Sequence, residues 1–258
     1  MLTASQRTEY ATEGFCVVAG LLSEREVTTF RDTARRDLSG ADGEELMEKS
    51  DAAGNTTLLK MWHSADDDLY GQVARDERLV EIARQLIGSD AYVYSHKMTM
   101  KEPRRGGAWE WHQDYGYWYQ NKCLAPDMMS IWIALDPSHA ANGCLQVLAR
   151  SHTLGRLDHI RVNGQTVVDA EYLEASLARF ELLHVEMEPG DALVFHCNLL
   201  HRSDANTSDS PRWGYIASYN AVANTPFRDV REYGHYQELV SVPAGTFAQR
   251  SSPPRAGI

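Results

Sequence analysis

The amino-acid sequence predicts a mainly β protein, a sandwich or a barrel, with helices flanking its N-terminal side. The length of 258 residues suits one large domain. Helical patterns occupy most of the first ninety residues, whereas short apolar or alternating runs with turn residues between them follow from residue 91 onward. We therefore predict a single domain with a mainly helical buttress over residues 1–90, a β core over 91–225 and a C-terminal extension over 226–258.

Two helices of the predicted buttress carry their own start and stop signals. Ser23 followed by Glu26 is a capping box and predicts a helix over residues 24–38. Asp76 can cap a second helix, whose apolar residues fall on one face and which Gly88 can end. Both helices can therefore pack against one face of a sheet.

The other predicted elements are short. A strand is predicted at residues 14–18, and longer loops or mixed segments at 39–57 and 153–180. Turn residues such as Asn142-Gly143 and Pro189-Gly190 separate the core strands. Six runs are predicted as those strands: 92–100, 128–135, 144–148, 182–187, 192–196 and 213–220.

The composition excludes several classes of partner. A formal net charge of -11 argues against a nucleic-acid ligand and against an anionic membrane surface, since both require clustered Lys and Arg. No apolar run approaches the roughly 18 residues of a spanning helix. Four scattered cysteines, with no CxxC pair, are typical of reduced core thiols in a cytoplasmic protein: Cys16, Cys123, Cys144 and Cys197. These observations favour a cytoplasmic protein with a small-molecule partner and leave the oligomeric state open.

A candidate metal site centres on His112 and Asp114. Residues at positions i and i+2 of an extended strand point to the same side, so this imidazole and this carboxylate can reach one ion. His201, which follows a turn and a buried run, is the candidate for the second imidazole. Two His and one carboxylate leave three positions of an iron ion open for a bidentate cosubstrate and O2. A zinc or manganese hydrolase or isomerase on a similar barrel would use the same three ligands.

Arg212 distinguishes these alternatives. It lies eleven residues after His201, and a hairpin between their strands would place the two side by side. A buried Arg at that point could hold the distal carboxylate of 2-oxoglutarate in a bidentate pair, and the hydroxyl of Ser203 could add a hydrogen bond. A hydrolase would not need this anchor. A surface salt bridge is the commoner role of a single Arg.

The chain resembles the phytanoyl-CoA dioxygenase (PhyH) family of iron(II)- and 2-oxoglutarate-dependent oxygenases. The resemblance covers nearly the whole chain, in order and at similar spacings. It departs from the family at Arg202, where Gly is usual, and at Ala149-Arg150, where Pro-Gly is usual. The matching motifs are 14–18 (GFCVV), 111–114 (WHQD), 132–136 (WIALD), 142–148 (NGCLQVL), 151–152 (SH), 190–196 (GDALVFH) and 201–203 (HRS), followed by Arg212.

The resemblance implies a double-stranded β-helix core, that is, a cupin-like jelly roll. It implies that His112, Asp114 and His201 bind iron(II). It further implies that Arg212 anchors 2-oxoglutarate. The side chains expected near this cosubstrate are Gln113, Trp132, Ser203, Thr99 and Lys97.

The expected reaction is hydroxylation of a small molecule, with O2 consumed and 2-oxoglutarate converted to succinate and CO2. In related halogenases a small residue replaces the carboxylate ligand, so Asp114 argues against halogenation. Desaturation, epoxidation or ring formation with the same cofactors stays open. A non-catalytic jelly roll that binds a metal or a small molecule is a further alternative, which the intact ligand set disfavours.

The predicted substrate pocket is an aromatic run next to the metal motif. On a strand, Tyr115, Tyr117 and Tyr119 would share one face, opposite Asp114 and Trp118, although ordinary barrel packing explains such residues as well. A Gly-rich loop before the motif, with Arg104 and Arg105, could be a mobile lid or a solvated turn. His196 has an odd spacing from His201 and is predicted to face away from it. The candidate substrate residues are Trp109, Tyr115, Tyr117, Trp118 and Arg104.

Overall fold

The computed structural model describes residues 1–38, 46–162, 164–228 and 235–249. Its strands pair antiparallel, and the predicted mainly β class is confirmed. The strands are β1 Phe15–Val18, β2 Met47–Ser50, β3 Thr56–Trp62, β4 Ala91–Lys101, β5 Trp109–His112, β6 Met128–Ala134, β7 Leu145–Leu148, β8 His159–Val162, β9 Gln165–Val168, β10 Leu182–Val185, β11 Ala192–His196, β12 His201–Ser203 and β13 Arg212–Ala221. The helices are α1 Ala4–Glu13, α2 Glu24–Leu38, α3 Leu69–Ala74, α4 Glu77–Ile87, α5 Asp114–Gln120 and α6 Ala170–Leu177.

Two sheets form the framework of the fold. The larger has seven strands in the order β1-β11-β6-β13-β4-β3-β2, and the smaller has four in the order β10-β7-β12-β5. Strands β8 and β9 form a separate hairpin. Apolar side chains from both sheets pack into one cluster, so the sheets face each other as in a jelly roll.

The large sheet separates a structural layer from a functional one. Because side chains alternate along a strand, Met98 on β4, Ile131 on β6 and Tyr215 on β13 join the core beneath the helices. Their chain neighbours Lys97 and Trp132 face the small sheet, where the two principal cavities lie. The helical buttress therefore stabilises one face of the sheet and leaves the other for the site.

The predicted helix ends are confirmed. Ser23 and Glu26 form the reciprocal capping box at the start of α2, which spans the predicted residues. Asp76 caps α4, and Gly88 ends it in the left-handed conformation with φ 76°. That backbone region favours glycine over residues with a Cβ.

Three segments differ from their predictions. Residues 47–62, expected to include loop, contain the edge strands β2 and β3 of the large sheet; 39–45 lie outside the described residues. The segment 153–180 forms hairpin β8–β9 and helix α6. The strand expected through residues 114–119 is helix α5 instead. In the C-terminal extension, 229–234 and 250–258 lie outside the described part.

The four cysteines are buried and free, as predicted. Within the described ranges, no helix combines the length and the apolar character needed to cross a bilayer.

Candidate active site

The two predicted His residues and the predicted carboxylate converge. Strands β5 and β12 pair antiparallel with His112 directly opposite His201, and the two imidazole rings are 4.1 Å apart between centroids. Asp114 starts helix α5, and its Oδ1 lies 3.9 Å from the Nε2 atom of each imidazole. All three residues are buried. Among the described residues, their ligand atoms form a cluster that is close enough together to hold one metal ion.

The hydrogen bonds of both imidazoles determine their tautomer. Nδ1 of His112 lies 2.8 Å from the carbonyl oxygen of Glu110, and Nδ1 of His201 lies 2.9 Å from that of Leu199. A carbonyl only accepts, so Nδ1 carries the proton and Nε2 keeps its lone pair facing Asp114. Burial lowers the pKa of both imidazoles, which favours the neutral form that binds metals.

Asp114 is oriented by a serine pair that the sequence did not indicate. The hydroxyl of Ser130 donates to Oδ2 of Asp114 at 2.7 Å, and Ser218 lies 3.0 Å from Ser130 between hydroxyl oxygens. The two serines lie opposite each other on β6 and β13. Oδ2 is thus held, while Oδ1 faces the imidazoles. Because this contact depends on sheet register, no local motif would have found it.

Arg212 lies at the start of β13 and is buried at 1% exposure. Its Nε and Nη2 donate to the carbonyl oxygen of Gly143, and its guanidinium lies 5.1 Å from the ring centroid of Trp132. Burial lowers the pKa of Arg212 to about 10. No carboxylate of the described residues forms an ion pair with it, which is unusual for a buried cation and suits an anionic ligand.

Lys101 adds a second buried cation to this cavity. Its ammonium donates to the backbone carbonyls of Ser203 and Asp204, and burial followed by the proximity of Arg212 holds its pKa well below the usual value. From the sequence, Lys101 was grouped with Arg104 and Arg105 beside the Gly-rich loop, as positive charge that a lid could bring to an anionic substrate. The cavity places both cations on the same side of the fold as the His–Asp group.

The first cavity contains most of the residues predicted to contact 2-oxoglutarate. The cavity fits 2-oxoglutarate because it offers two kinds of group. The buried cations Arg212 and Lys101 suit a carboxylate, and the lone pairs of the His–Asp group suit a metal that the keto acid could chelate. The predicted residues that line it, beside Arg212 and the His–Asp group, are Ser203, Trp132, Thr99 and Lys97.

Gln113 is a correction. Its side chain is fully buried, and its amide group donates to the carbonyls of Gly155 and Asn198 and accepts from the backbone N–H of Leu157. The side chain does not line either cavity because it points away from both neighbouring ligand residues. Gln113 therefore connects the end of strand β5 to two loops, one with Gly155 and Leu157 and the other with Asn198.

A second, larger cavity of about 250 Å³ adjoins the first. The two share His112, Asp114, Lys97, Trp109 and Leu59 as lining residues. A molecule in the second cavity can therefore contact His112 and Asp114. Hairpin β8–β9 covers it, tied down by a hydrogen bond of 3.0 Å from the Tyr117 hydroxyl to the Thr166 carbonyl.

The structure places the aromatic residues of the predicted substrate pocket in three different surroundings. Trp109, Tyr117 and Trp118 line the second cavity. Tyr115 is buried in a core cluster, and Tyr119 is exposed beneath the guanidinium of Arg156. The period of a helix, 3.6 residues, replaced the alternation assumed for a strand and so separated the tyrosines.

The predicted lid residue Arg104 does not line either cavity. It is exposed and forms a bidentate ion pair with Asp209, with its backbone at φ 59° in the Gly-rich turn. His196 faces away from His201, as predicted, and packs against Tyr10 and His152. The aromatic contact of His201 is Phe195, in a T-shaped arrangement at 4.9 Å.

Comparison with known proteins agrees with this geometry. Residues 10–214 match the family model described as phytanoyl-CoA dioxygenase (PhyH). The chain is 28% identical over 242 residues to an L-proline trans-4-hydroxylase of Streptomyces griseoviridis, covering 87% of this chain and 89% of that protein. It is 27% identical over 237 residues to an ectoine dioxygenase of Nocardia farcinica, covering 86% and 79%.

Solved structures share the fold. EctD of S. alaskensis, crystallised with 2-oxoglutarate and 5-hydroxyectoine, superimposes with a TM-score of 0.78 at 23% identity over 94% of this chain and 88% of that one. The epimerase SnoN from nogalamycin biosynthesis, in complex with Fe3+, alpha ketoglutarate and nogalamycin RO, gives 0.74 at 19% identity over 93% of both chains. The predicted jelly-roll class is confirmed.

Proposed function

Because the chain belongs to the phytanoyl-CoA dioxygenase family, it is an iron(II)- and 2-oxoglutarate-dependent dioxygenase, and we propose that His112, Asp114 and His201 are its iron ligands. The observation that carries this assignment is the convergence of two imidazole lone pairs and one carboxylate oxygen at a buried point. Three ligands of this type on one face leave the remaining positions of the metal open. The proposed reaction is hydroxylation of an unactivated C–H bond of a small molecule.

Arg212 is the proposed anchor of the distal carboxylate of 2-oxoglutarate. Its guanidinium is already buried and held by Gly143 and Trp132, so binding an anion costs little further ordering. The anion would also compensate a cation that lacks a carboxylate partner in the described chain. Ser203, Thr99 and Trp132 line the path between Arg212 and the iron ligands, and we propose that they contact the same cosubstrate.

With iron(II) and 2-oxoglutarate bound, O2 is activated while the keto acid is converted to succinate and CO2. The protein's contribution is positional. Nδ1–H of each imidazole donates to a backbone carbonyl, which fixes the ring, and Ser130 fixes the carboxylate of Asp114. The second cavity, which shares His112 and Asp114 with the first and is lined partly by hairpin β8–β9, would hold the substrate against the same group.

Hydroxylation is favoured over other outcomes of the same chemistry by the names of two relatives that are 27–28% identical to this chain. They are named as a proline hydroxylase and as an ectoine dioxygenase, whose substrates are small molecules. The fold itself does not decide, since the same architecture includes an epimerase and a carbocyclase. Asp114 occupies the position at which a halogenase needs a small residue, so halogenation is not proposed.

The partners follow from charge and size. We propose a small-molecule substrate and no nucleic-acid ligand, supported by the net charge of -11. A cytoplasmic location is supported by four cysteines that are buried and unpaired.

A direct test uses the metal complex without oxygen. Iron(II) and 2-oxoglutarate added anaerobically should produce the weak visible charge-transfer band of a chelated keto acid, and air should then give succinate. Asp114→Ala should abolish the band and the succinate. A fully metallated protein that shows neither would be a zinc- or manganese-type enzyme or a binding protein instead.

A further inference from the structure

We propose that the second cavity selects a small organic acid, whose carboxylate is bound by Lys97 on β4 and Arg161 on β8. This inference deepens the proposed function and rests on it. It names the chemical class of the substrate and two residues that determine specificity. Its basis is the charge, the free cationic groups and the size of the second cavity.

The charge of the cavity is opposite to that of the protein. Acidic residues outnumber Lys and Arg by 36 to 25 over the whole sequence. Among the described residues that line the second cavity, however, Lys49, Lys97 and Arg161 are cationic and Asp114 is the acidic one. Its carboxylate already accepts from Ser130 and faces the two imidazoles. Cations that converge on a cleft attract an anion, and they repel one another without it.

Two of these cations have no protein partner in the described chain. The side chains of Lys97 and Arg161 form neither a hydrogen bond nor an ion pair with any described residue. Lys97 is half-buried and lines both cavities. A half-buried ammonium without a counter-ion is costly, so a bound carboxylate would stabilise it.

The covering hairpin places Arg161 at the cavity. The ammonium of Lys49 donates to the Gly164 carbonyl at 3.4 Å. The amide of Gln165 donates to the carbonyls of Ser50 and Ala108 and accepts from the backbone N–H of Glu110. The hairpin is thus tied to β2 and to the start of β5. Arg161, on the other strand of this hairpin, is exposed to solvent and lines the cavity with its side chain.

The volume and the lining residues of the second cavity indicate what the rest of the substrate is like. A cavity of about 250 Å³ suits the body of a small acid. Four aromatic side chains provide an apolar wall for its body: Tyr94, Trp109, Tyr117 and Trp118. The geometry points to a compact acid with an apolar ring or chain that reaches the metal-binding group.

The test compares acids with their neutral amides in the anaerobic iron(II)–2-oxoglutarate complex. The probes are matched pairs: L-proline and L-prolinamide, cyclohexanecarboxylate and cyclohexanecarboxamide, and 4-methylpentanoate and its amide. Binding is read from the perturbation of the charge-transfer band, and coupling from succinate release in air. In the unmodified protein, the best acid should bind about tenfold or more tightly than its amide.

The variants Lys97→Met and Arg161→Met keep an apolar stem and remove the charge. Each should lower the acid-to-amide affinity ratio toward one, whereas Arg179→Met, an exposed cation outside both cavities, should leave it unchanged. Arg161→Met and Arg179→Met should keep the affinity for 2-oxoglutarate. Because Lys97 lines both cavities, the 2-oxoglutarate affinity of Lys97→Met is measured separately. Loss of 2-oxoglutarate affinity in Lys97→Met would place that residue in the cosubstrate site and overturn its role here.

The outcomes separate this inference from the proposed function. If the charge-transfer band does not form, the proposed function fails. If the band forms but amides bind as tightly as acids, or no acid perturbs it, the carboxylate inference alone is wrong. Tighter binding of cyclohexyl phosphate than of cyclohexanecarboxylate would also overturn it, since the site would then recognise a phosphate.

Discussion

Replacing Arg212 by Met should separate stability from function. The guanidinium is buried beside a Gly143 carbonyl and an indole, without a carboxylate partner in the described residues. Its pKa is lowered from 12.5 to about 10 by burial. That shift corresponds to about 3 kcal/mol by which the folded state disfavours the charge at neutral pH. The penalty is fully present at every pH below 10, because the group is charged there in both states.

The substitution also removes favourable contacts. The Gly143 carbonyl loses its donors, which costs about 1–3 kcal/mol, and the cation–π contact contributes about 1 kcal/mol. These losses nearly offset the relief of the buried charge. Truncation of a buried side chain usually costs about 2–5 kcal/mol, whereas we expect Arg212→Met without 2-oxoglutarate to match the unmodified protein within about 1 kcal/mol. The corresponding change in Tm is roughly 2–4 °C.

The assay is thermal unfolding with and without 2-oxoglutarate, in the presence of a redox-inert divalent metal. The unmodified protein should gain about 2.7 kcal/mol at a 2-oxoglutarate concentration one hundred times Kd, and Arg212→Met should gain almost nothing. Arg212→Lys is the matched control, since it keeps the charge and should retain part of the gain. A variant that unfolds more than about 2 kcal/mol more easily, or that still responds to 2-oxoglutarate, would refute the reasoning.

Three further predictions concern residues around the site and in the core. Ser130→Ala should weaken iron binding by about 10–100-fold in an equilibrium titration, because Asp114 loses the hydrogen bond that orients it; unchanged affinity would exclude this positioning role. Gly214→Ala should weaken 2-oxoglutarate binding far more than iron binding, because the added Cβ would overlap the indole of Trp132. Both affinities are measured by titration, and an equal loss of affinity for iron(II) and for 2-oxoglutarate would contradict this prediction. His96, buried with its pKa lowered from 6.5 to about 4, is neutral when folded, so its contribution is intact above pH 6.5 and is lost as the pH falls toward 4. The free energy of unfolding, measured in urea, should fall by about 2 kcal/mol between pH 7 and pH 5 because of this group. In His96→Phe the free energy of unfolding should depend less steeply on pH. An equal pH dependence in both proteins would show that His96 is not the cause.

Much of the site could be predicted because its signals are local. His112 and Asp114 are two residues apart on an extended segment, and the helix ends at Ser23 and Gly88 depend on contacts within one turn. Interactions between near neighbours in the chain have few possible geometries, so residue type and spacing specify them. The whole-chain resemblance then connected these local signals to His201 and Arg212.

Other features could not be predicted from the sequence because they depend on contacts between distant parts of the chain. The strand assumed through residue 119 is a helix, since Asp114 begins α5, and the tyrosines separate accordingly. Ser130 reaches Asp114 only because β6 and β13 pair in a particular register. Gln113 carries a residue type suited to ligand binding, but its amide is used by backbone groups more than forty positions away in the chain.

The sequence by itself determined the class of fold and the family, and it identified the candidate metal ligands and the candidate anchor. Only the tertiary structure decided which charged side chains line the same cavity. Lys49, Lys97 and Arg161 come from three strands far apart in the chain, and they line one cavity because sheet pairing and a covering hairpin assemble it. Local propensity acts over a few residues, whereas a cavity is defined by contacts between distant segments, so its charge emerges only once the chain has folded.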